Sequence, residues 1–253
     1  MLTCSLQSGS NGNCIYVEAG DVRLLFDAGI SGRQTKVRLA AHGRELRGVH
    51  GLILSHGHTD HTRSTGAIHR LYQVPVYATP GTLHAIEPYA GRLHNVHTFS
   101  PGARLTFGAV TVFTLPTPHD ARDSVAFVVQ HEGKRLGVLT DLGHPFVTLA
   151  RTLRELDAAY LESNYDPQML AEGPYPPQLK ARIRGQAGHL SNQEAAALLE
   201  SCGARRPRWV ALAHLSEENN RPDLALQTHR EVLGADYPLT VASRHEQSEM
   251  WEV

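Results

Sequence analysis

Leu52-Ile53-Leu54-Ser55-His56-Gly57-His58-Thr59-Asp60-His61 begins as an apolar strand and ends in four residues able to bind metal. His56 and His58 are two positions apart, so on an extended segment both imidazoles face the same side. A turn at Thr59, with a helix starting near Asp60, brings Asp60 and His61 round to a second position ~3.5 to 4 Å away, the separation of a two-metal site. A capped helix with polar residues at its mouth has no need of four ligand-type side chains in six positions, and burying them unpaired would be costly. Two adjoining metal sites are therefore predicted from one heptapeptide.

The composition agrees with this reading. The 253 residues and 41% apolar content suffice for one large domain, taken here as residues 1–253. No apolar run has the length of a membrane span, and the N-terminus lacks the flanks of a secretory signal, so the chain reads as soluble and cytoplasmic. Cys4, Cys14 and Cys202 form no CxxC pair and are expected to be reduced and buried. A net charge of −1 gives no global basic field to announce a nucleic-acid partner, whereas 16 histidines direct attention to metal chemistry.

Short strands separated by Gly-rich turns are predicted at residues 14–18, 22–27, 51–55, 74–78, 103–107, 110–115, 124–130 and 135–140. Helical periodicity marks residues 60–72, 146–156, 192–201 and 224–233, and Ser191 with Glu194 forms a capping box for the third. Strands come first, with helices between and after them, which predicts two packed sheets covered by helices. The Pro-rich stretch 173–178 reads as a surface loop.

HxHxDH after an apolar strand resembles the signature of the metallo-β-lactamase superfamily, which implies a four-layer αββα sandwich. Later residues fit the family's order. In Thr117-Pro118-His119-Asp120, His119 would complete the first site with His56 and His58. In Thr140-Asp141-Leu142-Gly143, Asp141 would bridge both metals. In Leu212-Ala213-His214-Leu215-Ser216, His214 would close the second site with Asp60, His61 and Asp141. Glu162 in Tyr160-Leu161-Glu162-Ser163-Asn164 and His189 in Gly188-His189-Leu190-Ser191-Asn192 resemble the proton-donating couple of the superfamily's tRNA-processing nucleases. Within the superfamily, the chain resembles the small-nuclease branch called YycJ or WalJ. It is carried by Ser8-Gly9-Ser10-Asn11-Gly12-Asn13-Cys14, His119-Asp120-Ala121, the segment around His189, and His214-Leu215-Ser216 with Asn219-Asn220. Tyr165 stands where a His is more usual.

This resemblance implies a 5′ to 3′ DNA exonuclease with a part in DNA repair. Its nucleophile would be a hydroxide held by two divalent ions, Mn²⁺ or Zn²⁺, and oriented by Asp60. A carboxylate rather than a Cys at position 141 suits phosphodiester cleavage better than lactam hydrolysis. The chain lacks room for the large insertion of the RNA-processing branch, so a DNA substrate is favoured over RNA. Asn13, in a turn that would offer N–H groups to a phosphate, is a candidate substrate contact, though a hairpin needs the same residues. Lys180, Arg182 and Arg184 read as a solvated face and His144 as a structural residue. The competing readings are a thioester hydrolase of the glyoxalase II kind, an RNA-processing nuclease and a metal-stabilised nucleic-acid-binding protein without turnover. Association into a homo-oligomer is a base-rate expectation only.

Overall fold

The computed structural model describes residues 1–253. Strands β1 (Leu2–Gln7), β2 (Cys14–Ala19), β3 (Val22–Phe26), β4 (Gly51–Ile53), β5 (Val76–Ala78) and β6 (Val96–Thr98) lie side by side in chain order. A second sheet holds β7 (Arg104–Phe107), β8 (Val110–Pro116), β9 (Val125–His131), β10 (Lys134–Leu139), β11 (Ala158–Glu162), β12 (Trp209–Ala213) and β13 (Leu239–Val241), also in chain order. The last strand, β14 (Trp251–Glu252), returns to pair with β1 and completes seven strands in the first sheet.

Period-two alternation sorts the side chains into layers. Along β2, Ile15 and Val17 face the other sheet, while Cys14 and Tyr16 face helices. Along β9, Val125, Phe127 and Val129 point inward and Ala126 and Val128 outward. The central seam includes Phe26 against Phe127, ring centroids 5.0 Å apart. Helices α1 (Gly32–Ala41), α2 (Thr59–Thr62), α3 (Thr65–Tyr72) and α4 (Pro80–Ala90) follow strands of the first sheet. Leu39, Ile68 and Ile86 from three of them pack on Leu25, Leu52 and Val76. On the far side are α5 (Val147–Leu153), α6 (Pro167–Glu172), α7 (Pro177–Arg184), α8 (Asn192–Ser201) and α9 (Pro222–Leu233). Leu149, Leu199 and Ala225 seal Val128, Leu161 and Leu212 there. The architecture is the four-layer αββα sandwich. Strands buried on both faces explain the near-continuous apolar runs in the sequence. No helix is long and apolar enough to cross a membrane.

The structure corrects several local expectations. The helix predicted over residues 60–72 is two helices, α2 and α3. The carbonyl of His61, which a continuous helix would offer to residue 65, accepts instead from Ala28 N at 2.6 Å, and Ser64 N donates to Ala28 O at 3.0 Å. Helix α1 escapes prediction because only Thr35 and Leu39 of its ten residues are buried, which leaves little apolar periodicity. Helix α4 is masked by its interior Pro88. The loop expected at 173–178 is shorter, since Pro177 opens α7 at a position where its missing N–H leaves no bond unmade. Strand β1 carries the buried polar residues Thr3 and Ser5 where alternation would call for apolar ones, and Thr3 Oγ1 donates to Tyr16 O at 2.8 Å. The capping box of α8 forms as predicted, with Ser191 N donating to Glu194 Oε2 at 2.8 Å.

His229 sits on the buried face of α9. Its Nδ1–H donates to Ala225 O at 2.9 Å, and Nε2 has no partner. Burial lowers its pKa to about 4 against the opposing effect of the Ala225 carbonyl. The unfolded chain therefore binds the proton first. Stability from this group is full above pH ~6.5 and falls away as pH drops through about 4, by up to ~3 kcal/mol. Urea midpoints measured from pH 7 to 4 are expected to decline less steeply in His229→Leu than in wild type; parallel slopes would refute the assignment.

Candidate metal centre

The site lies where the carboxyl ends of β3, β4, β10, β11 and β12 converge, the edge of a parallel arrangement at which side chains leave the sheet for a crevice. Register brings the parts together. Phe26 pairs with Ile53, setting Asp27 beside Ser55; Leu139 pairs with Leu161, setting Asp141 near Glu162; and Glu162 pairs with Ala213, next to His214. Asp27, Asp141 and His214 each adopt left-handed backbone, with φ of 65°, 55° and 56°. Non-glycine residues hold that conformation at a cost, which turns the chain inward immediately at the strand end. Gly29 has no alternative, because a Cβ there would lie 1.6 Å from Asp60 O.

Every sequence-predicted ligand is brought to this point. The donor atoms of His56, His58 and His119 lie within 4.8 Å of one another, as do those of Asp60, His61 and His214, and of His56, His61 and Asp141. His58 Nδ1 is 3.3 Å from His119 Nε2, and His214 Nε2 is 3.3 Å from Asp60 Oδ2. Asp141 spans the two groups, with Oδ1 3.5 Å from His119 Nε2 and Oδ2 3.0 Å from His61 Nε2. Two donors bound tetrahedrally to one ion at ~2.05 Å stand ~3.3 Å apart, so these spacings are those of ligands around a cation. Buried His56 Nε2 and Asp141 Oδ2 have no hydrogen-bond partner. The donor set fits divalent metal.

The outer ring nitrogens are held by neighbours, which fixes the nitrogen that faces the centre. His61 Nδ1 lies 2.7 Å from Asp27 Oδ2, which also accepts from Ser55 Oγ at 2.9 Å. That hydroxyl in turn accepts from His56 Nδ1–H at 3.0 Å. His119 Nδ1–H donates to Gly188 O at 2.9 Å, and His58 Nε2 faces Asp120 Oδ1 at 3.5 Å. Asp27 is the functional residue that sequence reasoning passes over, as merely the end of a strand; an acidic residue terminating an apolar strand is its one signal.

Electrostatics reinforce this arrangement. Burial would favour neutral His214, but the Asp141 charge and the hydrogen bonds of His214 to Asp60 and Glu162 outweigh it and lift the pKa to about 10. Burial likewise opposes charge on His61, and Asp141, Asp27 and Asp60 overcome it. His56, buried and facing the His61 charge, is driven the other way. The carboxylates thus form a negative well that holds protons where no other cation answers it.

Glu162 and His189 adjoin the cluster. His189 Nδ1–H donates to Glu162 Oε1 at 2.7 Å, while Glu162 Oε2 accepts from Leu142 N at 2.9 Å and Leu190 N at 3.3 Å. Burial alone would raise Glu162, but the His189 charge and hydrogen bond, helped by His214, bring it down to about 2. His189, Asp60, Asp141 and His214 line a cleft of about 510 Å³ together with Tyr89, Tyr175 and Arg182. Asn13 does not line it. Its side-chain amide lies beneath the ligands, with Nδ2 3.0 Å from His61 Nε2 and donating to Gly9 O at 3.0 Å, while Oδ1 accepts from Gly9 N. Ser10 of the same turn faces the cleft instead. Arg182, read from sequence as solvated, stands at the mouth and pairs with Asp120. His144 points its Nδ1 at Gln186 O, 2.7 Å away, and joins no ligand group.

Known proteins resemble this chain in sequence and in fold. A family model described as the β-lactamase superfamily domain matches residues 22–212. The exodeoxyribonuclease YycJ of Bacillus anthracis is 33% identical over 230 residues, covering 90% of this chain and 87% of that protein. The exodeoxyribonuclease WalJ of Streptococcus pneumoniae serotype 2 is 33% identical over 227 residues, covering 88% and 84%. The crystal structure of YhfI from Bacillus subtilis, a metallo-β-lactamase fold protein, superposes with a TM-score of 0.77 at 17% identity, covering 100% and 99%. The chain belongs to the metallo-β-lactamase superfamily, in the family of the YycJ and WalJ exodeoxyribonucleases.

Removing a carboxylate that orients a ligand His costs ~10- to 100-fold in metal affinity. Asp27→Ala is expected to show that loss in competition with a chromogenic chelator, with Asp27→Asn intermediate. Wild-type affinity in both would mean that the Asp27–His61 contact serves packing alone.

Proposed function

We propose that the chain is a metal-dependent phosphodiesterase, a 5′ to 3′ exonuclease acting on DNA in preference to RNA, with a use in DNA repair. The family supports the nuclease class, and the observation that carries the chemistry is the Glu162–His189 pair beside the ligand cluster, with His189 lining the cleft. In this reading His56, His58 and His119 would hold one divalent ion and Asp60, His61 and His214 a second, with Asp141 shared between them. The nitrogen-rich set suits Zn²⁺, and the carboxylates admit Mn²⁺. When bound, the two ions supply positive charge for the phosphate and lower the pKa of water enough for it to serve as nucleophile at neutral pH.

The remaining work falls to the chain. Asp60 reaches the cleft with its side chain 21% exposed, and its carboxylate is pinned between His61 and His214, so it can orient the attacking group. The proton needed by the departing oxygen comes from His189 Nε2. Glu162 stays ionised because its pKa is held to about 2; it keeps Nδ1 engaged and stabilises the imidazolium. The ring lies against the cluster, 5.0 Å between centroids from His119 and 5.3 Å from His214, so the proton is delivered next to the site of bond breaking.

Three outcomes are expected. Digestion of end-labelled single- and double-stranded DNA and RNA should release mononucleotides from the 5′ end of DNA, need metal, and vanish in Asp60→Ala; no cleavage of any of them by metal-loaded wild type would sink the nuclease reading. His189→Ala should lower kcat on DNA ~10²- to 10³-fold yet act only weakly on a p-nitrophenyl phosphodiester, whose leaving group needs no proton; equal losses on both would remove His189 from the proton-donor role. Elemental analysis should give two equivalents of metal per chain in wild type and a reduced content in Asp141→Ala, and a single equivalent in wild type would contradict the two-ion reading.

A further inference from the structure

Behind the β1–β2 turn lies a second concavity of about 280 Å³, whose wall includes Asn11, Ser31, Arg38, Arg63, Arg244 and His245 and no carboxylate. Three arginines in one pocket stand out in a chain whose net charge is −1. Their hydrogen bonding leaves capacity for a ligand. Arg38 is clamped to Leu6 O at 2.7 Å and to His245 O, so its charge is fixed in the wall. Arg63 is exposed and donates through Nε to Thr59 O at 3.3 Å, leaving the end of its guanidinium free. Arg244 pairs through Nη2 with Glu217 at 2.8 Å, and its buried Nε and Nη1 have no partner.

The position of this pocket gives the charge a purpose. Ser10 lines the metal cleft and its neighbour Asn11 lines the arginine pocket, so one turn, exposed at Ser10, is the partition between them. The amide N–H groups of Ser10 and Asn11 make no backbone hydrogen bond and can meet a passing anion. Arg63 follows the ligand run His56 to His61 by two residues, which ties the pocket rigidly to the centre. Planar guanidinium groups suit phosphate oxygens.

We propose that this pocket binds a backbone phosphate of the nucleic-acid strand whose end is cut in the cleft, the strand crossing the turn at Ser10 and Asn11. The subsite rests on the nuclease reading, deepens it, and gives the substrate a path: a flexible single strand, able to bend over the turn, fits better than a rigid duplex. Backbone contacts of this kind carry affinity without sequence preference.

Binding of a fluorescein-labelled, phosphorothioate single-stranded oligodeoxynucleotide to the metal-loaded protein tests the subsite by anisotropy over a range of salt. Arg63→Ala, Arg244→Gln and the double variant should weaken binding, the double variant about tenfold or more, and flatten the plot of log K against log salt by about 0.7 for each arginine removed. Arg63→Ala carries the test alone if Arg244→Gln fails to fold, because the Arg63 side chain is exposed. In parallel, the ratio of kcat/KM on the ordinary oligonucleotide to that on a one-phosphate p-nitrophenyl ester should fall. Unchanged affinity and salt slope, with cleavage intact, overturns the subsite and leaves the nuclease standing. Weakened binding in the variants, with the ordinary oligonucleotide never cut by wild type, supports the subsite and overturns the nuclease. Absence of wild-type binding overturns the subsite, and the end-labelled digestions then decide the nuclease.

Discussion

Four carboxylates, from Asp27, Asp60, Asp141 and Glu162, are gathered at one edge of the sandwich, and three of them are almost entirely buried. Charge of one sign so far from water is tolerable only if cations and N–H donors answer it at contact distance. Asp141 shows this most sharply. It is buried at the end of β10, on left-handed backbone, with His61, His119 and His189 nitrogens 3.0 to 3.5 Å from its oxygens. The histidines are therefore required by the carboxylates as much as the carboxylates by the histidines, and a divalent ion is the species that satisfies both sets together.

The two sheets meet this electrostatic demand jointly. His56, His58, Asp60 and His61 come from the end of β4 and from α2, on the first sheet, whereas His119, Asp141, Glu162 and His214 follow or end strands of the second. Cross-links tie the halves together. Ser8 Oγ, at the end of β1, accepts from His214 N at 2.9 Å, and His214 Nε2 stands 3.3 Å from Asp60 Oδ2. The apolar seam of Ile15, Phe26, Val112 and Phe127 sets the spacing between sheets, so the ligand geometry depends on packing well away from any ligand.

How much of this is legible in the sequence follows from how local each signal is. His56, His58, Asp60 and His61 sit in one heptapeptide and declare themselves, and the strands of the central seam are visible because they alternate or run apolar over five or more residues. His119, Asp141 and His214 are legible only through family resemblance, since none has a ligand beside it in the chain and register alone brings them together. Asp27 and the split between α2 and α3 depend on one long-range interaction, the return of β3 beneath the ligand run, where Ala28 bonds His61 and Ser64. No local pattern encodes that. Helices α1 and α4 escape for a different reason: one buries too few residues to show a period, and the other carries a proline inside it.

The Glu162–His189 pair differs in kind from the ligand cluster it touches. Ligands are useful when their protons are gone, whereas an acid must keep its proton until the bond breaks. Glu162 reconciles the two needs by standing between them, its Oε1 2.7 Å from His189 Nδ1 and 3.4 Å from His214 Nδ1, with Oε2 tied to the backbone of Leu142 and Leu190. In the proposed mechanism, one buried carboxylate thereby orients a ring of the metal set and another of the proton-transfer set. It follows that Glu162→Gln, which keeps the shape but removes the charge, is expected to lower kcat on substrates that need a protonated leaving group while leaving bound metal largely in place. A parallel loss of metal and activity would show that the carboxylate serves the ligand set first.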